Sequence, residues 1–190
     1  MKAALFHLRA HAFTAHEIAL ADRLATKHLG GEPYTSVLGT PTRASESVRK
    51  CVVKWLGPGD GGAPLYEAVR FTAMFANEAC WDFVISDFTG PLQFTDYEGA
   101  GAHYDWHTDW GPGVGALRKL SVTIQLSEPE DYVGGDLELM DMDVPPAARA
   151  AMRSRGAAVV FPSFIQHRVT PIVSGRRKSL VAWLGGSAFR

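Results

Sequence analysis

Residues 101–111 read GAHYDWHTDWG, and the pair His107 and Asp109 within them decides how the rest of the chain is read. An extended chain turns residues i and i+2 to the same side, so this imidazole and this carboxylate can reach one divalent ion from a single strand. The tripeptide alone carries little weight, because His103 and Asp105 repeat the same pattern just upstream. Weight comes from residues 161–177, FPSFIQHRVTPIVSGRR, in which His167 opens a β-branched run and Arg177 follows it after a turn. Two histidines and one carboxylate form the facial ligand set that leaves positions open on a non-haem Fe(II) ion. An aromatic-rich approach, Tyr97, Tyr104 and Trp106, completes the combination.

Outward from this motif, the chain after residue 80 consists of short apolar runs broken by Gly or Pro about every eight to twelve residues, which predicts a sandwich or barrel of antiparallel strands. The expected strands are 81–87, 92–97, 103–107, 120–127, 136–140, 157–161, 167–173 and 177–184. Leu120, Val122, Ile124 and Leu126 alternate with Ser121, Thr123 and Gln125, giving one packed and one polar face. The last strand is apolar on both faces, so it needs cover on both sides. Placing Arg177 inward carries Ser179 with it and turns Arg176 and Lys178 away. Gly134 and Gly135 predict a turn or bulge, and residues 142–155 either a short helix or a loop.

Upstream of residue 81 the pattern is helical. Residues 13–29 predict a helix with a capping box from Thr14 and Glu17, a face of Ile18, Ala21, Leu24, Ala25 and His28, and a stop at Gly30 and Gly31. Residues 32–47 predict a loop, 48–56 a strand, and a second helix starts at Pro64 and runs to about residue 78. Neither helix is apolar enough to be buried all round, so both are expected to cover one sheet.

The 190 residues suit a single domain, with 1–80 as helical support and a first strand and 81–190 as the β core. A hydrophobic content of 46% with 21% charged residues is ordinary for a soluble globular chain. The net charge of −1 gives no reason to expect nucleic acid or an anionic membrane as partner. Cys51 and Cys80 lack metal or redox spacing and are expected to be free thiols in a reducing compartment. The opening MKAALFHLRAH is too broken for a signal peptide, and no apolar stretch approaches a membrane span. The expected location is therefore the cytoplasm, and the oligomeric state is left open.

Three segments carry a family resemblance: YEGAGAHYDWHTD (97–109), LSVTIQLSEPEDYVGGDLEL (120–139) and FPSFIQHRVTPIVSGRRKSLVAW (161–183). Together they resemble the core of the 2-oxoglutarate/Fe(II) dioxygenases, in particular the prolyl-4-hydroxylase-like branch that includes bacterial PKHD-type hydroxylases. The resemblance implies a mainly β fold with N-terminal helices around a double-stranded β-helix, the jelly-roll or cupin-like core. It implies Fe(II) on His107, Asp109 and His167, 2-oxoglutarate held by Arg177 with Ser179, O2 as oxidant, and ascorbate as a candidate reductant. The implied reaction is hydroxylation of an unactivated C–H bond, on an amino-acid side chain in a peptide, a protein or a small molecule.

Relatives often place a tyrosine where Tyr104 stands, to bond the 2-oxoglutarate tail. Tyr104 differs in parity from His107, so it needs a bulge to share that face; otherwise it packs outward as core. Trp106, Trp110, Asp105 and Arg118 flank the motif as substrate-contact candidates, with plain core or a solvated strand end as the alternative for each. Asp109 argues against halogenation, because halogenating relatives lack that carboxylate. Two other readings stand beside the hydroxylase: a non-catalytic, cupin-like barrel that binds a metal or ligand, and a Zn(II) hydrolase on the same three ligands. The sensor barrel has no need of Arg177 with Ser179, and the hydrolase lacks an assured base beyond Asp105.

Overall fold

The computed structural model describes residues 4–27, 47–59 and 61–189. The expected Gly30–Gly31 stop, His28 and nearly all of the 32–47 loop lie outside the described residues. Strands and helices are numbered along the chain. The larger sheet runs β1 (His7–Arg9), β10 (Ala158–Pro162), β7 (Arg118–Gln125), β12 (Ile172–Gly185), β5 (Leu92–Glu98) and β3 (Val52–Leu56), with β4 (Asp87–Phe88) and β8 (Tyr132–Gly134) also paired to β12. The smaller sheet runs β2 (Arg49–Lys50), β6 (His103–His107), β11 (His167–Val169) and β9 (Leu137–Leu139). All of these pairings are antiparallel. Two sheets closed over a shared interior are the jelly-roll core.

The core sits in three places, and each follows from the alternation in the strands. Leu120, Val122 and Ile124 of β7, with Leu180, Ala182 and Leu184 of β12, pack on Leu20, Leu24, Leu65 and Val69 of the helices α1 (Ala15–Lys27) and α2 (Ala63–Cys80). The opposite face of β7, Ser121, Thr123 and Gln125, is also buried and turns into the barrel. Two smaller apolar clusters join the sheets, one around Tyr97, Tyr132, Val169 and Ile172 and one around Leu139, Val159 and Phe161. β12 is therefore covered on both sides, as its composition requires.

Local chemistry accounts for where the elements start and stop. Thr14 and Glu17 form the capping box at α1: the Thr14 backbone N–H donates to Glu17 Oε2 at 2.7 Å, and the Glu17 N–H donates to Thr14 Oγ1 at 3.4 Å. The third helix, α3 (Pro146–Arg153), occupies the stretch for which the sequence allowed a helix or a loop. Pro145 and Pro146 suit its start because the missing N–H groups would be unpaired there in any case.

Four expectations are corrected. Residues 81–87 form a connector that joins the sheet only at β4, because the Asn77 side chain satisfies Phe83 in both directions and the Asn77 carbonyl accepts from both Trp81 and Asp82. That leaves no free ladder for a strand. The single strand expected at 48–56 divides at Cys51, β2 joining the smaller sheet and β3 the larger. The strand expected at 167–173 stops at Val169, where Thr170 bonds Asp136 and Pro171 lacks an N–H; β12 then starts at Ile172 rather than at Arg177. Finally, β1 was not legible in the broken apolar run before residue 10, yet it pairs with β10 from His7 to Arg9.

Candidate active site

The site is built where β6 meets β11. His107 lies opposite His167 and Tyr104 opposite Val169, so three steps along β6 match two along β11. The extra residue is a β-bulge, which resets the alternation. Tyr104 thereby returns to the face of His107, and the two rings stack with centroids 3.5 Å apart and planes 17° from parallel. This is the bulge that parity alone demanded if Tyr104 were to face the site.

Asp109 follows directly after β6 and is fixed through its backbone, its N–H donating to the Ser163 carbonyl at 3.0 Å. His107, Asp109 and His167 bring one ligand atom each within 4.8 Å of one another. His107 Nε2 is 3.9 Å from Asp109 Oδ1, and His167 Nε2 is 3.5 Å from Asp109 Oδ2. On each imidazole Nδ1 contacts a backbone carbonyl, Asp105 O at 2.7 Å for His107 and Ile165 O at 3.0 Å for His167. A carbonyl accepts only, so Nδ1 carries the proton and the Nε2 lone pairs are left for a cation. Among the described residues this is the one His/Cys/Asp/Glu cluster with metal-binding spacing.

Electrostatics keep the ligands in the form a metal needs. Burial and the neighbouring His167 push His107 down to about 4, and the Asp109 carboxyl is held below its ordinary value by the two histidines, Ser121 and Trp183 against the opposing effect of burial. Both groups are thus deprotonated at neutral pH, as metal binding requires. A depressed value in the fold means that stability is present above the unfolded value of about 6.5 and is lost as pH falls toward the folded one. The metal-free protein is therefore expected to lose stability as pH falls from 7 to 4, as His107 takes up a proton. Chemical denaturation of metal-free wild type and His107→Asn across that range checks this, the variant having the flatter profile.

Ser121 of β7 donates to Asp109 Oδ2 at 2.6 Å and to Ser163 Oγ at 3.0 Å. Its single proton can serve only one of them at a time, and the ionised carboxylate is the stronger acceptor. Ser121→Ala is expected to weaken metal affinity by roughly 10-fold, within the range of outer partners of metal ligands. A metal titration of the variant reads this directly.

Farther along the barrel, Arg177 is 3% exposed and lies 5.4 Å from the Tyr97 ring. Its Nη1 is buried without a hydrogen-bond partner among the described residues, and so is Gln125 Oε1. Arg177, Trp106, Thr123, Gln125, Tyr132 and Leu139 contribute to the lining of a cavity of about 320 Å³. Gly135 makes room for the guanidinium's stem: a Cβ there would stand 2.4 Å from Ile172 Cδ1 and 3.2 Å from Arg177 Cδ. Ser179, two residues on, is fully buried between Thr95 and Gln125 of the neighbouring strands. Two imidazoles and a carboxylate suit Fe(II), and an unpaired buried guanidinium suits a carboxylate; the residues present fit both groups.

The remaining candidates are dispersed around the motif. Trp106 lies beneath the Arg168 guanidinium at 4.7 Å, and Trp110 is exposed, its N–H donating to the Ser163 carbonyl and its own carbonyl accepting from Thr108 Oγ1. Asp105 is exposed and accepts from the Trp106 N–H at 2.8 Å. Arg118 opens β7, stacks on Trp183 at 3.9 Å and donates to the Asp109 carbonyl at 3.3 Å. Sequence reasoning saw Ser121 only as part of a polar face and Gly135 only as a turn or bulge residue, and it did not single out Arg49. The signal for Ser121 was present in the parity of β7 and that for Gly135 in the double glycine; no local signal pointed to Arg49.

Comparison with known proteins places the same segments together. The 2OG-Fe(II) oxygenase superfamily matches residues 92–185. A PKHD-type hydroxylase of Hyphomonas neptunium is 36% identical over 109 residues, 53% of this chain and 47% of its own length. One from Shewanella baltica is 37% identical over 98 residues, 50% of this chain and 42% of its own. The chain thus spans about half the length of the curated relatives it matches. A prolyl-4-hydroxylase of Pseudomonas putida superposes with a TM-score of 0.67 at 25% identity, over 97% of this chain and 94% of that one. A Trichoplax adhaerens prolyl hydroxylase, solved with a hypoxia-inducible-factor peptide fragment, shares the fold with a TM-score of 0.69 at 16% identity, over 95% and 83% of the two chains.

Proposed function

The chain belongs to the 2-oxoglutarate/Fe(II) oxygenase superfamily, and from that premise we propose that it is a hydroxylase acting on an unactivated C–H bond of an amino-acid side chain, in a peptide or in a small molecule. The observation that carries this reading is the buried, unpartnered Nη1 of Arg177 in the same barrel as His107, Asp109 and His167. In this reading the three ligands hold Fe(II), and Arg177 holds the distal carboxylate of 2-oxoglutarate with Ser179 and Tyr104 beside it. When bound, iron and 2-oxoglutarate supply the oxidising power that inserts oxygen from O2 into the C–H bond, with succinate and CO2 as co-products.

The chain's own residues orient and exclude. The Asp105 and Ile165 carbonyls fix both imidazoles in one tautomer. Ser121 holds the Asp109 carboxylate in one rotamer by donating to Oδ2. Tyr104 against His107 and Phe161 against His167, with centroids 3.5 Å and 4.7 Å apart, pack against the two imidazoles. Trp106, Trp110, Asp105 and Arg118 remain the candidates for contact with the substrate. The P. putida neighbour, a prolyl-4-hydroxylase by name, supports proline as the first side chain to try. Free Cys51 and Cys80 support a reducing compartment such as the cytoplasm. No helix among the described residues is long and apolar enough to cross a membrane.

The test is an anaerobic titration of the Fe(II)-loaded protein with 2-oxoglutarate, watching for the visible charge-transfer band of the chelate. The band should form in wild type and be lost in His167→Ala. If Fe(II) binds and wild type gives no band, the oxygenase reading falls and the metal-binding barrel replaces it.

A further inference from the structure

A second guanidinium is buried close to the site, on a strand outside residues 92–185, the stretch that the oxygenase family matches. Arg49 of β2 lies opposite Tyr104 of β6 and is 5% exposed. Its guanidinium covers the Tyr104 ring at 4.4 Å, and Tyr104 in turn stacks on His107, so the three side chains form one column ending at a metal ligand. Arg49 Nε donates to Cys51 Sγ at 3.0 Å, whereas its Nη2 is buried with no hydrogen-bond partner.

What sets Arg49 apart is the company it lacks. Four other basic side chains around the barrel meet carboxylates, Arg176 with Asp96, Lys178 with Asp22, Arg168 with Glu138 and Arg153 with Asp136, and Arg118, which has no carboxylate partner, donates to the Asp109 carbonyl and stacks on Trp183. Among the described residues neither Arg49 nor Arg177 has an ion pair, and each has an unpartnered Nη atom. A thiol and an aromatic face compensate a desolvated cation poorly. The two arginines meet one cluster from two sides: Arg177 lies 5.4 Å from the Tyr97 ring, and Cys51 and Tyr104, both contacted by Arg49, pack against the same cluster. Two buried guanidiniums thus lie on one aromatic cluster, and neither has a carboxylate partner of its own among the described residues.

We propose that Arg49 is a second guanidinium of the dicarboxylate pocket and that it binds, together with Arg177, the distal carboxylate of 2-oxoglutarate. This rests on the oxygenase reading and adds to it a binding residue from outside the jelly-roll motif segments. The geometry explains why a cation is kept on a two-residue edge strand: β2 pairs with the Tyr104 end of β6, and Cys51 anchors Nε while Nη2 is left for the ligand. It also explains why the chain divides at Cys51, since a straight strand would carry residue 49 into the larger sheet with β3.

The experiment is calorimetric titration of the anaerobic Fe(II)-loaded chain with 2-oxoglutarate and, separately, with 2-oxopentanoate, which has the same chain length but no distal carboxylate. Wild type is compared with Arg49→Met, Arg49→Lys, Arg177→Met and the double variant Arg49→Met/Arg177→Met. Arg49→Met is expected to raise the Kd for 2-oxoglutarate at least tenfold, to leave 2-oxopentanoate within twofold, and to leave Fe(II) affinity within twofold. Arg49→Lys should fall between, having charge without the fork. The double variant should lose less than the product of the single losses, because both groups hold one carboxylate. Unchanged 2-oxoglutarate affinity in Arg49→Met overturns the proposal. So does an equal loss for both keto acids or a loss of Fe(II) affinity, either of which makes Arg49 only a support for the Tyr104–His107 stack. Should Arg49→Met not fold, the same comparison is read from Arg49→Lys and Arg49→Gln. A wild-type protein that binds Fe(II) but shows no 2-oxoglutarate binding sinks the oxygenase reading itself, whereas wild-type binding that is insensitive to residue 49 sinks this inference alone.

Discussion

Asp109→Ala is expected to abolish iron-dependent turnover, with Fe(II) affinity falling by more than about 100-fold. Even outer partners of metal ligands cost 10- to 100-fold when removed, and here a ligand itself is lost. Asp109 is the only anion within 4.0 Å of the two imidazoles among the described residues. Without it, two neutral rings whose centroids lie 4.1 Å apart must bind a dication with no charge to balance it. The fold should survive, because Ser121 retains Ser163 as a partner and the backbone bond from residue 109 to Ser163 is independent of the side chain. Asp109→Asn sharpens the test: it keeps the size and a hydrogen bond to Ser121 but not the charge, and should bind Fe(II) almost as poorly. Anaerobic Fe(II) titration beside a thermal melt separates loss of metal from loss of structure. Full Fe(II) affinity in Asp109→Ala would mean that the cluster is not the metal site.

The second large effect is at Arg177. Arg177→Met should raise the Kd for 2-oxoglutarate by roughly 100-fold, the equivalent of one or two charge-assisted hydrogen bonds at about 1.5–3 kcal/mol each. The same substitution should leave the melting temperature of the ligand-free protein unchanged or slightly higher. Arg177 is a desolvated cation with an unpartnered nitrogen and no ion pair among the described residues, so an apolar side chain of similar length removes a cost as well as a contact. Loss of ligand affinity with retained stability is the signature of a residue kept for binding. The reverse pattern, a lower melting temperature with 2-oxoglutarate affinity unchanged, would make Arg177 a structural partner of Tyr97 and Tyr132. Differential scanning fluorimetry with and without 2-oxoglutarate distinguishes the two.

Different parts of this molecule were legible to different degrees. The alternation at residues 120–126 announced β7 and its two faces, because a period of two is a property of the local chain. Thr14 and Glu17 announced the start of α1 for the same reason, as a cap closes within one turn. The connector at 81–87 misled: its apolar residues look like a strand, but a single side chain, Asn77, satisfies Phe83 from the helix end. The division of 48–56 at Cys51 was hidden as well, since nothing in the local sequence states which sheet each half will join.

By itself the sequence determined the candidate ligand types, their order, and the faces of the strands that carry them, because these depend on residue chemistry and on local periodicity. Tertiary structure decided what depends on pairing across the chain. The bulge that turns Tyr104 onto His107 exists only when β6 is laid against β11, some sixty residues later. Ser121 acquires Asp109 only when β7 lines the barrel beside the metal motif. Arg49 reaches the Tyr104 ring, and Arg177 the Tyr97 ring, only because β2 and β12 end up in different sheets of one barrel. Register and sheet order are set by the summed contacts of distant segments, so no single segment encodes them.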